Sequence, residues 1–176
     1  MGLTGKSTQH FVSEVAGRDR WKRVHLVQVP DPVVITKKFR QGGKGGQVVQ
    51  GYLDSKRTVD FLGWVRPTGK VVAIECKETT QERWRLDKRL QTHQLEHLME
   101  VSSSGGVAGV YLRSVIFGRS GDYFIPVKKD GLACGSQKSY SWKALERWKI
   151  APRRTFLDAI VFNGVEVWPL FREGGW

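Results

Sequence analysis

The stretch Val71-Val-Ala-Ile-Glu-Cys-Lys77 decides the fold, because an apolar run here ends in charged residues. Continuous apolar runs of this length indicate a buried strand in the centre of a sheet. Side chains alternate between the two faces of a strand, so Glu75 and Lys77 share one face and Cys76 lies on the other. The sequence therefore predicts a central strand with two charged side chains at its end, and Cys76 as a small core residue.

A second strand is predicted at Thr58-Val-Asp-Phe-Leu-Gly-Trp-Val65, joined to the first through the turn sequence Pro67-Thr-Gly-Lys70. Pairing of these strands would bring Asp60 close to Glu75. Two carboxylates and an ammonium on one face can form a divalent-metal site with a general base or electrophile beside it. A bound metal would also compensate the charge on a buried strand. We therefore expect a metal site at Asp60 and Glu75, with Lys77 next to it.

A helix is predicted after this strand, from about Asp87 to Ser102, because apolar residues recur there at helical spacing. Successive residues on a helix are 100° apart, which places Gln94 within the apolar stripe that faces the sheet. A buried amide needs a hydrogen-bonding partner. Gln94 is therefore a candidate neighbour of the carboxylates. An earlier helix, from Thr8 to Trp21, carries the acidic candidate Glu14.

The composition indicates one globular domain of 176 residues whose partner is a polyanion. The formal net charge is +12, which suits a polyanion. Several of the seven tryptophans lie beside cations, a pattern that fits either stacking on bases or core residues next to solvated lysines. Two cysteines without a CxxC pair disfavour a disulfide or a structural zinc site. The N-terminus shows no apolar signal segment, and no apolar run approaches the roughly 18 residues of a membrane span. We therefore expect a cytoplasmic protein without a membrane or an organic cofactor as partner.

The segment 37–46 differs from the rest of the chain, since four glycines and four cations surround a single large apolar residue. It cannot pack as core and should be exposed. The stretch Gln47–Leu53 that follows is typical of a returning strand. On these residues alone, a projecting basic hairpin and a plain surface loop both remain open.

The spacing Asp-(14 residues)-Glu-x-Lys is similar to that of the PD-(D/E)xK nucleases. Several further motifs resemble those of RecU-type Holliday junction resolvases, in order and spacing over roughly residues 24–126, and the length fits a phage-type member. These motifs are Thr58-Val-Asp60, Glu75-Cys-Lys-Glu-Thr79, Thr92-His-Gln-Leu-Glu-His-Leu98, Gly105-Gly106 and the late Ala151-Pro-Arg153.

The resemblance implies an α/β fold with a restriction-endonuclease-like core, in which helices flank a mixed central β-sheet. It implies a single nuclease domain over residues 1–176 with a protruding β-ribbon stalk at about 36–57. The stalk would carry the DNA-binding cations Lys37, Lys38, Arg40, Lys44, Lys56 and Arg57. The metal would be Mg2+, with Mn2+ as a substitute, and would be surrounded by Thr58, Asp60, Glu75 and Gln94.

The expected activity is metal-dependent hydrolysis of phosphodiesters by a homodimeric endodeoxyribonuclease of DNA recombination and repair. Lys77 would act near the attacking water, and Asp60, Glu75, Gln94 and Glu14 complete the catalytic candidates. Two equivalent strands of a four-way junction suit two active sites related by a twofold axis. Two rival interpretations are an endonuclease for other duplex or branched DNA and a non-catalytic protein that binds junctions.

Overall fold

The computed structural model describes residues 6–18, 23–30, 33–40, 47–53, 59–66, 68–116, 120–135, 137–150, 157 and 160. Parts of the chain for which the sequence makes predictions lie outside this range. They are Thr58, the cations Lys44, Lys56 and Arg57, the motif Ala151-Pro-Arg153, most of a short helix that the sequence indicates at Arg154–Val161, and Val165–Trp168, where it indicates a last strand or tail.

Ten strands and four α-helices occur in the described part of the chain. The helices are α1 (Lys6–Gly17), α2 (Leu86–Arg89), α3 (Thr92–Ser103) and α4 (Trp142–Leu145), and a 3-10 turn (Glu146–Trp148) follows α4. The strands are β1 (Val24–Gln28), β2 (Val33–Arg40), β3 (Gln47–Leu53), β4 (Phe61–Val65), β5 (Val71–Thr79), β6 (Arg83–Arg85), β7 (Val107–Ser114), β8 (Gly121–Lys128), β9 (Gly131–Leu132) and β10 (Ser139–Ser141).

Six strands form one mixed sheet in the order β1-β4-β5-β7-β8-β9. Strands β5 and β7 run parallel, and the other neighbours are antiparallel. The alternation along β5 separates two buried clusters: Ile74 and Cys76 pack with Val12 of α1, and Ala73 packs with Leu98 of α3. The predictions of an α/β class, of a mixed central sheet flanked by helices and of a buried Cys76 are confirmed.

The turn between β4 and β5 sets the register on which the site depends. Gly69 adopts φ of 70°, which favours glycine, and the amide of Val65 donates to the carbonyl of Lys70 at 2.9 Å. Phe61 then pairs with Ile74, so Asp60 is the residue that follows in register toward Glu75. The predicted pairing of these two strands is confirmed.

Two local predictions are wrong. The single helix expected from about Asp87 to Ser102 is interrupted at Leu90 and Gln91, so that α2 and α3 are separate. The sequence also indicates a polar connection at Glu78–Arg85 and a short helix at Ser139–Trp148. In the structure the connection contains β6, which pairs with β10 at the first three residues of that helix, and the rest of it is confirmed as α4 and the 3-10 turn. The buried aromatic pair Trp84 and Tyr140 holds the small sheet on the core, which explains why Ser139–Ser141 are extended.

Strands β2 and β3 pair with each other as an antiparallel two-stranded sheet, with a register shift between Ile35 and Lys37. They form a sheet of their own, separate from the six-stranded one. The returning strand expected at Gln47–Leu53 is confirmed, whereas its projection as a stalk stays a prediction. Among the described helices, none is long and apolar enough to cross a membrane.

Candidate active site

Asp60 immediately precedes the first residue of β4, and Glu75 lies in the middle of β5. Asp60 is held by its backbone, since its amide donates to Ile74 at 3.1 Å and its carbonyl accepts from Val29 at 2.8 Å. Its Oδ2 accepts from the Cys76 amide at 2.7 Å, so the carboxylate takes the place of a strand carbonyl. Asp60 and Glu75 are each only 1% exposed. Burial of two carboxylates requires compensation from donors or cations.

Glu75, Lys77 and Gln94 form one hydrogen-bonded group. The Lys77 ammonium lies 2.6 Å from Oε1 of Glu75 and donates to Oε1 of Gln94 at 3.2 Å. The amide nitrogen of Gln94 donates to the same Glu75 oxygen at 2.8 Å. The Lys77 side chain is 18% exposed, so this group is not completely closed to solvent. The structure thus brings together three of the residues that the sequence selected.

Gln94 is fixed in this group by the start of α3. Its side chain accepts from the amide of Gln91 at 3.2 Å, in a capping box that both glutamines complete. A capping box satisfies backbone donors that the first turn of a helix leaves without partners. The same oxygen therefore caps the start of α3 and accepts from the Lys77 ammonium. The break between α2 and α3 is what makes this arrangement possible.

Helix α1 adds two polar residues that the sequence analysis missed. The amide nitrogen of Gln9 donates to Oδ1 of Asp60 at 2.8 Å, and the Gln9 oxygen accepts from Gln28 at 3.3 Å. The hydroxyl of Thr8 donates to Glu78 at 2.6 Å. A usable signal existed, because Thr8, Gln9 and Val12 share one face at helical spacing. That pattern turns two polar residues toward the sheet.

Glu14, the acidic candidate on α1, lies apart from this group. Its side chain is 44% exposed and is 3.2 Å from the Arg18 guanidinium one turn further along. The contact between α1 and Asp60 is made by the side-chain amide of Gln9. A catalytic role for Glu14 stays a prediction. The stalk cations also stay predictions: Lys37, Lys38 and Arg40 are on β2, where only the backbone is described, and Lys44, Lys56, Arg57 and Thr58 lie outside the described residues.

The oxygen donors present fit a hard divalent cation that is only partly coordinated by protein. Within the described ranges no group of three or more His, Cys, Asp and Glu side chains could hold a metal. Mg2+ is commonly bound through one or two carboxylates, retained waters and substrate phosphates. The carboxylates of Asp60 and Glu75 match that pattern, and the Gln94 oxygen is a further hard donor. The group is compatible with Mg2+ and lacks the donors of a closed zinc site.

The chain is similar to proteins of one family. A model of the family RecU, Recombination protein U, matches residues 22–148. The Holliday junction resolvase RecU of Streptococcus gordonii is 32% identical over 83 residues, which cover 47% of this chain and 40% of that protein. Its counterpart from Shouchella clausii is 30% identical over 104 residues, or 59% of this chain and 48% of that protein. The chain thus matches less than half the length of these relatives.

One solved structure that the chain resembles is that of Archaeoglobus fulgidus Hjc, a Holliday junction resolvase from an archaeal hyperthermophile. The superposition has a TM-score of 0.42 at 14% identity, and covers 80% of this chain and 88% of Hjc. The family match includes Asp60, Glu75, Lys77 and Gln94, whereas helix α1 precedes it.

Proposed function

The chain belongs to the RecU family, and from this premise we propose that it is a metal-dependent endonuclease that resolves four-way DNA junctions by nicking two strands symmetrically. The observation that carries the proposal is the placement of buried Asp60 next in register to buried Glu75, whose carboxylate is hydrogen-bonded to Lys77 and Gln94. It combines hard oxygen donors with a positively charged donor. Phosphodiester hydrolysis needs both kinds of group, because negative charge accumulates on the phosphate oxygens during attack.

Asp60 and Glu75 would hold the metal, which is Mg2+ with Mn2+ as a substitute, and Gln94 and Thr58 would hold it directly or through water. A divalent cation bound there supplies Lewis acidity, lowering the pKa of a water and offsetting the charge of the scissile phosphate. The backbone amide of Cys76 and the side chain of Gln9 keep the Asp60 carboxylate in one orientation. The contribution of this chain is therefore a pair of carboxylates fixed before the substrate arrives.

Lys77 would orient the attacking water or stabilise the charge of the transition state. Its ammonium has three donors, and two of them are directed to Glu75 and Gln94. The Lys77 side chain is partly exposed, and DNA would arrive from that side. The two acceptors hold the ammonium beside the carboxylates, so the charge is already in position when a phosphate binds.

DNA would be bound through phosphates and shape, with little reading of bases. The net charge of +12 supports a polyanionic substrate. The cations Lys37, Lys38 and Arg40 are on β2, and Lys44 is in the segment that joins it to β3, so the two-stranded sheet would contact converging strands at the junction centre. A homodimer would present two sites to the two equivalent strands. The enzyme would work in the cytoplasm of a bacterium or of a phage-infected host.

The test is cleavage of a synthetic mobile four-way junction, assayed beside its linear arms with and without Mg2+. We expect paired symmetric nicks in the junction alone, and only with the metal. Asp60→Ala and Glu75→Ala should lower cleavage to background while the junction still binds. Asp130→Asn is the matched control, because it removes an exposed carboxylate in the turn between β8 and β9 and should cleave normally.

Three results would contradict the proposal in different ways. Equal cleavage of linear arms would indicate an endonuclease for duplex DNA. Junction binding without nicking under any metal would indicate a non-catalytic binding protein. Full activity of Asp60→Ala or Glu75→Ala would place the metal site elsewhere in the chain.

A further inference from the structure

Gln9 is the residue through which helix α1 reaches the carboxylates. It is 8% exposed, and its amide nitrogen lies 2.8 Å from Oδ1 of Asp60. Gln28 on β1 donates to the Gln9 oxygen, which fixes the direction in which the amide points. Since Cys76 holds the other Asp60 oxygen, both oxygens of that carboxylate are held by donors. Gln9 thus acts on the site through Asp60.

The Gln9 side chain carries no charge, and this affects how tightly the site can bind a metal. Asp60 and Glu75 are two buried carboxylates, and Lys77 is the ammonium beside them. A carboxylate in place of the Gln9 amide would be a third acid beside Asp60. The number of negatively charged ligands is a main determinant of how tightly a site binds a divalent cation. A neutral Gln9 therefore limits the affinity of the site for metal.

We propose that Gln9 is a positioning residue that sets the metal affinity of this site, so that the cation is held firmly only when a DNA phosphate supplies further oxygen ligands and charge. The inference rests on the proposed metal-dependent nuclease function. Coupling between two ligands is reciprocal, so DNA raises the affinity for metal by the same factor by which metal raises the affinity for DNA. The enzyme thereby assembles its complete site on the substrate and leaves free metal largely unbound.

The experiment measures metal binding without any cleavage, as the rise in melting temperature during a titration with Ca2+ or Mg2+. Gln9→Glu should lower the melting temperature without metal, because two carboxylates then repel each other. It should also reach half of its metal-induced rise at about tenfold lower metal concentration than the wild type. Gln9→Leu should lower the melting temperature without metal and need more metal than the wild type. This opposite response to metal is one that a purely structural residue would not produce.

Two further variants separate this effect from general changes in charge or folding. His10→Glu places a carboxylate at the next, exposed position of α1 and should titrate like the wild type. Gln28→Leu changes an exposed residue, so the fold is retained, and it should weaken metal binding in the same direction as Gln9→Leu. An unmodified four-way junction, titrated with Ca2+ and checked on a denaturing gel for the absence of nicks, should lower the metal concentration needed by the wild type more than that needed by Gln9→Glu.

The outcomes distinguish failure of this inference from failure of the proposed function. If Gln9→Glu and His10→Glu titrate identically, Gln9 has a structural role only, and the metal site stands. If the wild type responds equally with and without the junction, the coupling is absent. If no variant responds to metal under either condition, the proposed metal site and the inference both fail.

Discussion

The Lys77 ammonium lies between acceptors that come from two different elements, Glu75 on β5 and Gln94 on α3. Its position therefore depends on the packing of the helix against the strand as well as on its own strand. An ammonium is a compact charge with rotatable donors, whereas a guanidinium is planar and directs its donors in a fixed fork. The space between Glu75 and Gln94 should therefore accept the ammonium of lysine and not the guanidinium of arginine.

Lys77→Met should lower cleavage of the junction by about 100- to 1,000-fold, the range seen when one donor that stabilises developing charge is removed. Lys77→Arg keeps the charge but should remain strongly impaired, because its fork cannot occupy the same place between Glu75 and Gln94. Single-turnover cleavage rates measure the loss, and junction binding in EDTA is the control. A wild-type rate in Lys77→Met would show that the ammonium takes no part in hydrolysis.

The sequence predicted Asp60, Glu75 and Gln94 as neighbours because their positions follow from local periodicity. Strand alternation fixes the face of Glu75, a short turn fixes the register of Asp60, and helical phase fixes the face of Gln94. Helical phase also turns Gln9 toward the sheet, but it was missed because a neutral side chain gives no charge signal and its contact joins residues distant in sequence. The sequence instead indicated Glu14, the acid on the same helix, whose side chain is 44% exposed.

Among the elements, the least predictable ones depend on partners far along the chain. Strands β6 and β10 are three residues each and pair across more than fifty positions, so neither shows a periodic pattern that local sequence could reveal. The separation of α2 from α3 has a local origin instead, because the capping box at Gln91 and Gln94 competes with a continuous helix. The long strand β5 was predictable, since its apolar run exceeds what a loop would carry.

Strand β1 is held against β4 by a close approach that only glycine permits. A Cβ on Gly63 would lie 1.7 Å from the backbone oxygen of His25, so Gly63→Ala must separate the two strands. We expect a loss of about 1–3 kcal/mol in the free energy of unfolding, as for other overpacked sites. Gly17→Ala is the control: a Cβ there meets nothing within 4 Å, and the change should gain about 0.5 kcal/mol. Urea denaturation measures both variants, and equal stabilities would contradict the close packing of β1.

Across the whole molecule, the sheet separates two cores, and each contains buried tyrosine. Tyr111 lies in the core on the α1 side, and Tyr123 and Tyr140 lie in the core on the α3 side. Burial raises the pKa of Tyr111 and of Tyr123 above the ordinary value, because the charged phenolate loses hydration. Deprotonation of these tyrosines at alkaline pH should therefore lower the stability of both cores.

Burial, and then a hydrogen bond with Cys134, raises the pKa of Tyr140 from 10.0 to about 12. The unfolded chain thus releases this proton first, so the stabilisation is complete below about pH 10 and is lost as the pH rises through about 12. Tyr140→Phe should lower the free energy of unfolding by about 1 kcal/mol near neutral pH, because the hydroxyl donates to the Gly135 carbonyl. It should also reduce the loss of stability at alkaline pH.

Urea denaturation at a series of pH values compares the two proteins. Lysines that titrate in the same range are common to both and cancel in the difference. Identical slopes above pH 10 would show that the Tyr140 hydroxyl titrates alike in the folded and unfolded chain.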